Sequence, residues 1–147
     1  MSKKLLEPGL PRGFEDSFGK SLAIEKKIKE IIEKNFLRYG YAEIKTSPFE
    51  YSENIGGFLT DDLDNISKDI FTFDDKDKKI SLRFDLSTPL ARVVSEKYLE
   101  FAFPFRRFQI AEVFRNETSK TGRGRYRSFI QGDFDQIFSG KVPSQAN

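Results

Sequence analysis

Three residue types are missing from this chain of 147 residues, namely histidine, cysteine and tryptophan, and methionine occurs once. Without a thiol or an imidazole the chain has no cysteine nucleophile, no Ser-His-Asp triad, no disulfide and no standard zinc site. Its apolar runs are shorter than the roughly 20 residues that span a bilayer, and no signal-peptide pattern follows Met1. We therefore expect a cytoplasmic protein without a membrane span, whose chemistry uses carboxylate, guanidinium, amine, amide and hydroxyl groups. No residue is assigned to a metal.

The positive charges change in type along the chain. Residues 1–81 carry 12 Lys and 2 Arg against 16 acids, whereas residues 82–147 carry 8 Arg and 3 Lys against 7 acids; the net charge is +2. Arginine presents a planar fork that binds phosphate or carboxylate at two points, while lysine is a hydrated point charge suited to a solvated surface. Anion recognition is therefore expected in the C-terminal half, with structural ion pairs as the alternative.

The spacing of apolar residues predicts two helices and a series of short strands. The helices are expected over about 16–39 and 88–99. Alternating patterns predict strands at 41–46, 70–73, 80–84, 105–115 and 125–138. The second and third of these form a hairpin, and a mobile loop is expected over 52–69. This order predicts an α+β fold with a mainly antiparallel sheet and flanking helices. The Gly-x-Gly-x-x-Gly and Walker lysine motifs are absent.

Local signals predict the ends of the two helices. Asp16 or Ser17 is expected to cap the first helix, and Gly40 is expected just after its last turn. Thr88 is expected as the N-cap of the second helix, with Pro89 at its first helical position.

The last predicted strand separates opposite charges along one face. Because strand side chains alternate, that face carries Arg125, Arg127, Phe129, Gln131, Asp133 and Asp135. Guanidinium groups stand at one end, a ring and an amide in the middle, and two carboxylates at the other end. A solvated sheet face is the alternative, but it would mix lysine, glutamate and threonine. The pattern favours an extended ligand that is anionic at one end and cationic or hydrogen-donating at the other.

Further cations lie at the end of the preceding strand and in the connection between the two long strands. If these strands pair, Arg115 lies beside the cationic end of the last strand and forms a phosphate clamp with Arg125 or Arg127. Lys120 and Arg123 in the connection favour contact with outer phosphates or a polyanion, and a solvated loop is the alternative.

Four segments follow one another in a characteristic order over about residues 8–138. They are Pro11-Arg12-Gly13 with Asp16; Tyr39-Gly40-Tyr41 through Thr46-Ser47-Pro48-Phe49-Glu50; Leu82-Arg83-Phe84-Asp85-Leu86-Ser87-Thr88-Pro89-Leu90-Ala91-Arg92; and Phe114-Arg115-Asn116-Glu117 with Gly124-Arg125-Tyr126-Arg127-Ser128-Phe129. The second and fourth resemble motifs 1 and 2 of class II aminoacyl-tRNA synthetases. Together the four resemble the histidyl-tRNA synthetase family, the first as its N-terminal signature and the third as its substrate-binding segment.

The resemblance implies two sets of binding residues. The ATP set is Arg115, Glu117, Arg125 and Phe129, in which Arg115 holds the α-phosphate and acts catalytically, and Phe129 packs on adenine. The amino-acid set is Asp85, Ser87 and Gln131 for the amino group of histidine, with Asp135 for the imidazole. Lys120, Arg123 and Arg127 are assigned to tRNA or outer phosphates. Asp85 and Asp135 stand where many members of the family carry the longer glutamate.

The resemblance also implies a reaction, cofactors and partners. Histidine and ATP, with Mg²⁺, would give histidyl-adenylate and pyrophosphate, followed by transfer to the histidine tRNA. The motif 1 region would form a homodimer. Motif 3 and an anticodon-binding domain are absent from these 147 residues, which are therefore expected to be the N-terminal portion of a catalytic domain. We expect this portion alone to be weakly active or inactive.

Three alternatives remain open. The first is the synthetase-like regulatory subunit of ATP phosphoribosyltransferase, although such paralogues tend to lose motif 2 groups that are present here. The second is a noncatalytic dimerisation fragment. The third is a general nucleic-acid-binding domain, because phenylalanines interleave with arginines. This alternative is less favoured, since the alternation puts several of those rings on a core face, where they cannot stack on bases.

Overall fold

The structure is a computed structural model that describes residues 7–59, 69–116 and 126–140. Within these ranges the helices are α1 (Gly19–Arg38), α2 (Ser52–Leu59) and α3 (Ser87–Glu96), and a 3-10 turn at Tyr98–Glu100 follows α3. The strands are β1 (Ala42–Glu43), β2 (Phe49–Tyr51), β3 (Thr72–Asp75), β4 (Lys78–Leu82), β5 (Phe105–Phe114) and β6 (Ser128–Ile137). No helix in the described part of the chain is both long and apolar enough to cross a membrane.

The strands form two three-stranded sheets, of order β1-β5-β6 and β2-β4-β3. β5 and β6 are antiparallel over their full lengths, and the second sheet is antiparallel throughout. The expected α+β fold with a mainly antiparallel sheet is therefore confirmed. One pairing is parallel, because β1 lies beside β5 with Ala42 opposite Arg107. The chain forms the whole second sheet and α3 between these two strands, which is the long crossover that a parallel pair requires.

The helix α1 ends as expected and begins differently. Gly40 has φ +74° and donates to the carbonyl of Leu37 (3.1 Å), while Tyr41 donates to the carbonyl of Phe36 (3.0 Å), the two bonds of a Schellman motif. At the other end Phe18 is the N-cap and provides no side-chain cap. The expectation of Asp16 or Ser17 as the cap was wrong, because α1 starts one turn later than the apolar pattern suggested.

The segment 52–69, expected as a loop, begins with the helix α2. Its Ile55 is among the most buried side chains, and the hydroxyls of Ser52 and Ser81 lie 2.7 Å apart, which joins α2 to β4. Burial of an apolar residue therefore outweighs the low helix propensity of the local glycines. Residues 60–68 lie outside the described residues.

The second predicted helix, which is α3 in the structure, starts earlier than expected. Leu86 is the N-cap of α3, and the backbone N–H of Thr88 donates to Oδ1 of Asp85 at 3.0 Å. Thr88 as the N-cap was therefore wrong, and Pro89 is the third helical residue rather than the first. The carboxylate of Asp85 satisfies a free donor of the first turn, which a threonine at the cap would otherwise do.

Side chains of α1 cover one face of the β5–β6 ribbon. Phe36 stacks on Phe108 with ring centroids 5.3 Å apart and contacts Phe134 at 5.0 Å. Phe108 is completely buried. Because strand side chains alternate, the opposite face of the ribbon points away from α1, towards the segment that joins β4 to α3. That opposite face carries the candidate site.

Candidate functional site

The register of the two long strands brings many candidate residues onto one face. Directly opposite residues of an antiparallel pair point to the same side of the sheet. The opposed pairs on this face are Arg107 with Asp135, Gln109 with Asp133, Ala111 with Gln131, and Val113 with Phe129. Phe129 and Asp135 are six residues apart, or about 20 Å. That length suits two ligands side by side, or one extended ligand.

Arg115 continues this face just beyond the end of β5. Its guanidinium carbon lies 4.5 Å from the ring centre of Phe84 and 5.1 Å from that of Phe129. Its Nε donates to the carbonyl of Phe84 at 3.4 Å, and its Nη2 approaches Oε1 of Gln131 at 3.5 Å. In the part of the chain that the structure describes, no carboxylate forms an ion pair with it. Arg115 is therefore held in place by rings and neutral oxygens, and its charge remains available for an anion.

Arg127 is held by the N-terminal segment of the chain. Its guanidinium carbon lies 4.6 Å from the ring centre of Phe71 and 5.8 Å from that of Phe14, and Nη1 donates to the carbonyl of Arg12 at 3.4 Å. Its backbone N–H donates to the carbonyl of Gly13 at 2.7 Å. Gly13 has φ +87°, and a Cβ there would lie 2.6 Å from Cγ of Arg127. Only glycine allows this close crossing without strain.

The other end of the face is acidic and amide-rich. Nε2 of Gln131 donates to both carboxylate oxygens of Asp133, at 2.9 and 3.1 Å. This contact orients the amide so that its carbonyl oxygen points to Arg115. Asp85 is half-buried at the start of α3, where it accepts the bond from Thr88, and Ser87 is exposed at the first helical position.

Arg107 was not among the residues selected from the sequence. It is completely buried and forms an ion pair with Asp135, its partner across the strands. Burial lowers the pKa of the Arg107 guanidinium below its ordinary value, and attraction from Asp135, Asp133 and Asp85 acts in the opposite direction. The pairing of Arg107 with Asp135 depends on the register of the two strands. The sequence would have predicted this register only if the number of residues in the hairpin connection had been known.

Four of the candidate residues, namely Glu117, Lys120, Arg123 and Arg125, lie outside the described residues. The expected phosphate clamp of Arg115 with Arg125 or Arg127 stays a prediction. On the described side of the connection, the backbone N–H of Arg115 donates to the carbonyl of Arg127 at 2.8 Å. The two arginines thus begin and end the hairpin connection side by side.

The arrangement has two chemically different ends. At one end Arg115 is fixed between aromatic rings, as suits an anionic group next to a flat heterocycle. At the other end carboxylates and an amide oxygen suit a ligand that donates N–H bonds. A ligand pair of phosphate-bearing nucleotide and cationic small molecule matches both ends.

Comparisons with known proteins relate the chain to one family. The family model of histidyl-tRNA synthetase matches residues 13–132. A histidine–tRNA ligase of Pelagibacter ubique is 50% identical over 142 residues, which are 97% of this chain and 30% of that protein. The crystal structure of histidyl-tRNA synthetase from Nostoc sp. PCC 7120 has a TM-score of 0.77 at 26% identity. The similarity covers 92% of this chain and 30% of the Nostoc chain.

A second solved structure is described as an ATP phosphoribosyltransferase regulatory subunit/histidyl-tRNA synthetase from Bacillus halodurans. Its TM-score is 0.72 at 25% identity, over 89% of this chain and 32% of that one. The chain therefore spans about a third of the length of the relatives that it matches.

Proposed function

Because the chain belongs to the histidyl-tRNA synthetase family of class II ligases, we propose that it supplies the part of a histidine–tRNA ligase that binds ATP and histidine and joins them as histidyl-adenylate. The observation that carries this proposal is Arg115, a guanidinium fixed between Phe84 and Phe129 without an acid partner in the described residues. It lies on the same sheet face as the carboxylate of Asp135.

In this proposal Arg115 acts on the α-phosphate of ATP. The carboxylate oxygen of histidine forms a bond to the α-phosphorus while the bond to the bridging oxygen breaks, and pyrophosphate leaves. Negative charge builds up on the α-phosphate oxygens during this step, and a preorganised guanidinium stabilises it without reorganisation. The site also lowers the barrier by holding the two reactants in line. Phe129 supplies a ring surface for adenine.

The acidic end would hold the amino acid. Asp85, Ser87 and Gln131 are proposed to bind the amino group, and Asp135 to accept an N–H of the imidazole. Such a site disfavours amino acids whose side chains cannot donate a hydrogen bond, because Asp135 would lose contact with water without gaining a donor. In the described part of the chain no cluster of three or more acidic side chains suits a metal ion. Magnesium is proposed to enter the site together with ATP.

The remaining assignments concern outer phosphates, tRNA and location. Glu117 and Arg125 are proposed to contact ATP, and Lys120, Arg123 and Arg127 to contact outer phosphates or tRNA. Of these, Arg127 is half-buried beneath the segment Arg12–Phe14, so a phosphate contact would use the exposed part of its side chain. We also propose that the protein works in the cytoplasm, where tRNA charging supplies the ribosome.

The proposal is tested by histidine-dependent exchange of pyrophosphate into ATP. We expect the polypeptide translated from the whole reading frame around these 147 residues to catalyse the exchange, and the 147 residues alone to catalyse little or none. Steady exchange by the 147 residues would contradict the second expectation. If the whole polypeptide binds histidine in calorimetry without any exchange, the regulatory-subunit alternative is correct instead. The half-exposed Arg115 favours the ligase, because a regulatory protein does not need it.

We propose in addition that the motif 1 region forms a homodimer, for which the surface of α1 is the supporting observation. Ile24 and Ile31 are 61% and 51% exposed, although apolar residues at this spacing normally face a partner. Sedimentation equilibrium is expected to give a dimer. Ile24→Glu is expected to weaken it at least tenfold, and Lys34→Glu, an exposed change on the same helix, to leave it unchanged. A monomer at all concentrations would contradict this proposal.

A further inference from the structure

We propose that Arg107 is a positioning residue for the amino-acid end of the site: its buried guanidinium holds Asp135 so that one carboxylate oxygen stays free to accept the imidazole N–H of histidine. This inference rests on the proposed function and assigns a role to a residue outside both binding sets. Arg107 itself has no contact with a ligand in this scheme.

The geometry divides the carboxylate of Asp135 into two halves. Arg107 and Asp135 stand directly opposite each other in the β5–β6 ladder, and Nη2 of Arg107 pairs with Oδ2 of Asp135. That Oδ2 is buried, yet the Asp135 side chain as a whole remains 40% exposed. The exposure therefore belongs to the rest of the side chain. One oxygen is tied to the sheet, and the other is left for a ligand.

The charges around Arg107 are those of the proposed histidine pocket. Its positive charge is attracted by Asp135, Asp133 and Asp85. Two of these acids are proposed to contact the substrate, and Asp133 orients Gln131, a third contact. One buried cation thus attracts three carboxylates that would otherwise repel one another. It offsets their mutual repulsion at the acidic end of the face.

Fold stability alone explains this arginine poorly. Among the described residues its Nε and Nη1 have no hydrogen-bond acceptor, although the side chain is fully buried. A buried ion pair stabilises a fold little compared with apolar residues of similar volume. The ion pair with Arg107 also favours ligand binding by Asp135. A carboxylate that is already held in place loses less conformational freedom when it accepts a hydrogen bond from a ligand than a free one does.

The experiment compares Arg107→Met and Arg107→Lys with Arg106→Met in the polypeptide from the whole reading frame. Arg106 is the adjacent arginine of β5 and is exposed on the opposite face, so it is a matched control. In pyrophosphate exchange, Arg107→Met is expected to raise the KM for histidine roughly 10- to 100-fold. The KM for ATP should stay within about twofold. Arg107→Lys is expected to restore part of the loss, and Arg106→Met to change neither KM.

The coupling of the two residues gives a second readout. In the Arg107→Met background, Asp135→Asn is expected to add little to the KM for histidine, since the carboxylate is already misplaced. Unchanged histidine KM, or an equal rise for histidine and ATP in a folded variant, would overturn the inference. If Arg107→Met does not fold, as judged by circular dichroism, Arg107→Lys decides by the same criterion. Absence of exchange in the unaltered polypeptide would instead refute the proposed function.

Discussion

Replacing Arg115 with methionine is expected to lower kcat for histidine-dependent pyrophosphate exchange roughly 100- to 1000-fold. The guanidinium stabilises negative charge that is fully developed only in the transition state. Its loss therefore lowers kcat more than it raises the KM for ATP. Arg115→Lys is expected to recover little. An ammonium group carries the charge but cannot lie flat between the rings of Phe84 and Phe129, which are 4.5 and 5.1 Å from the guanidinium carbon.

Arg106→Met is again the control, because it removes a guanidinium at an exposed position of β5, the strand that ends just before Arg115. We expect it to leave kcat unchanged. The measurement is steady-state exchange with the polypeptide from the whole reading frame, alongside circular dichroism to verify folding. A folded Arg115→Met variant with the kcat of the unaltered protein would show that the α-phosphate is held by another group.

The long hairpin could be predicted from the sequence because its pattern is local. Strong alternation on both sides of a polar connection indicated two long strands, and the structure pairs Phe105 with Ile137 and Phe114 with Ser128. The shared face of Phe129, Gln131 and Asp135 follows directly from that alternation. The four-segment resemblance added the family, which periodicity alone does not reveal.

The helix boundaries were less accessible, because they depend on contacts between distant residues. Two glycines in the segment 52–59 argue against a helix locally, and α2 forms because Ile55 is buried. The start of α3 depends on the carboxylate of Asp85, whose bond to Thr88 supplies the cap. Propensities describe isolated segments, so they miss stabilisation that comes from packing.

Within the site, Arg107 shows what alternation cannot reveal. Arginine in a strand is ordinarily expected at the surface, and Arg106 and Arg107 look equivalent in the sequence. Their burial nevertheless differs: Arg106 is exposed at the end of the face that α1 partly covers, whereas Arg107 is completely buried on the opposite face, where it pairs with Asp135. The site therefore combines residues that the motif identifies with a residue that only the packed structure distinguishes.

Arg92→Met is expected to lower the free energy of unfolding by about 3 kcal/mol. Nε and Nη2 of Arg92 donate to the two oxygens of Glu50, at 2.6 and 2.9 Å, and thereby join α3 to β2. The Glu50 side chain is only 2% exposed, whereas that of Arg92 is 31% exposed. The hydrogen bond from Arg92 to Glu50 is the largest cause of the raised pKa of Arg92. Removing the arginine leaves the buried carboxylate of Glu50 without its cation. This destabilises the fold more than removing the carboxylate, because Arg92 is closer to solvent.

This asymmetry makes the prediction specific. Glu50→Gln is expected to cost less, about 1–2 kcal/mol, because Arg92 keeps an acceptor and can turn its charge towards solvent. Glu96→Gln is the matched control, since Nη1 of Arg92 also pairs with Glu96 at 3.2 Å, but that carboxylate is 61% exposed. Exposed pairs contribute little, so its effect should stay below about 1 kcal/mol. Urea unfolding of the three variants measures all three values. Equal losses of unfolding free energy for Glu96→Gln and Arg92→Met would contradict the prediction. The two ion pairs of Arg92 would then stabilise the fold equally, whether the carboxylate is buried or exposed.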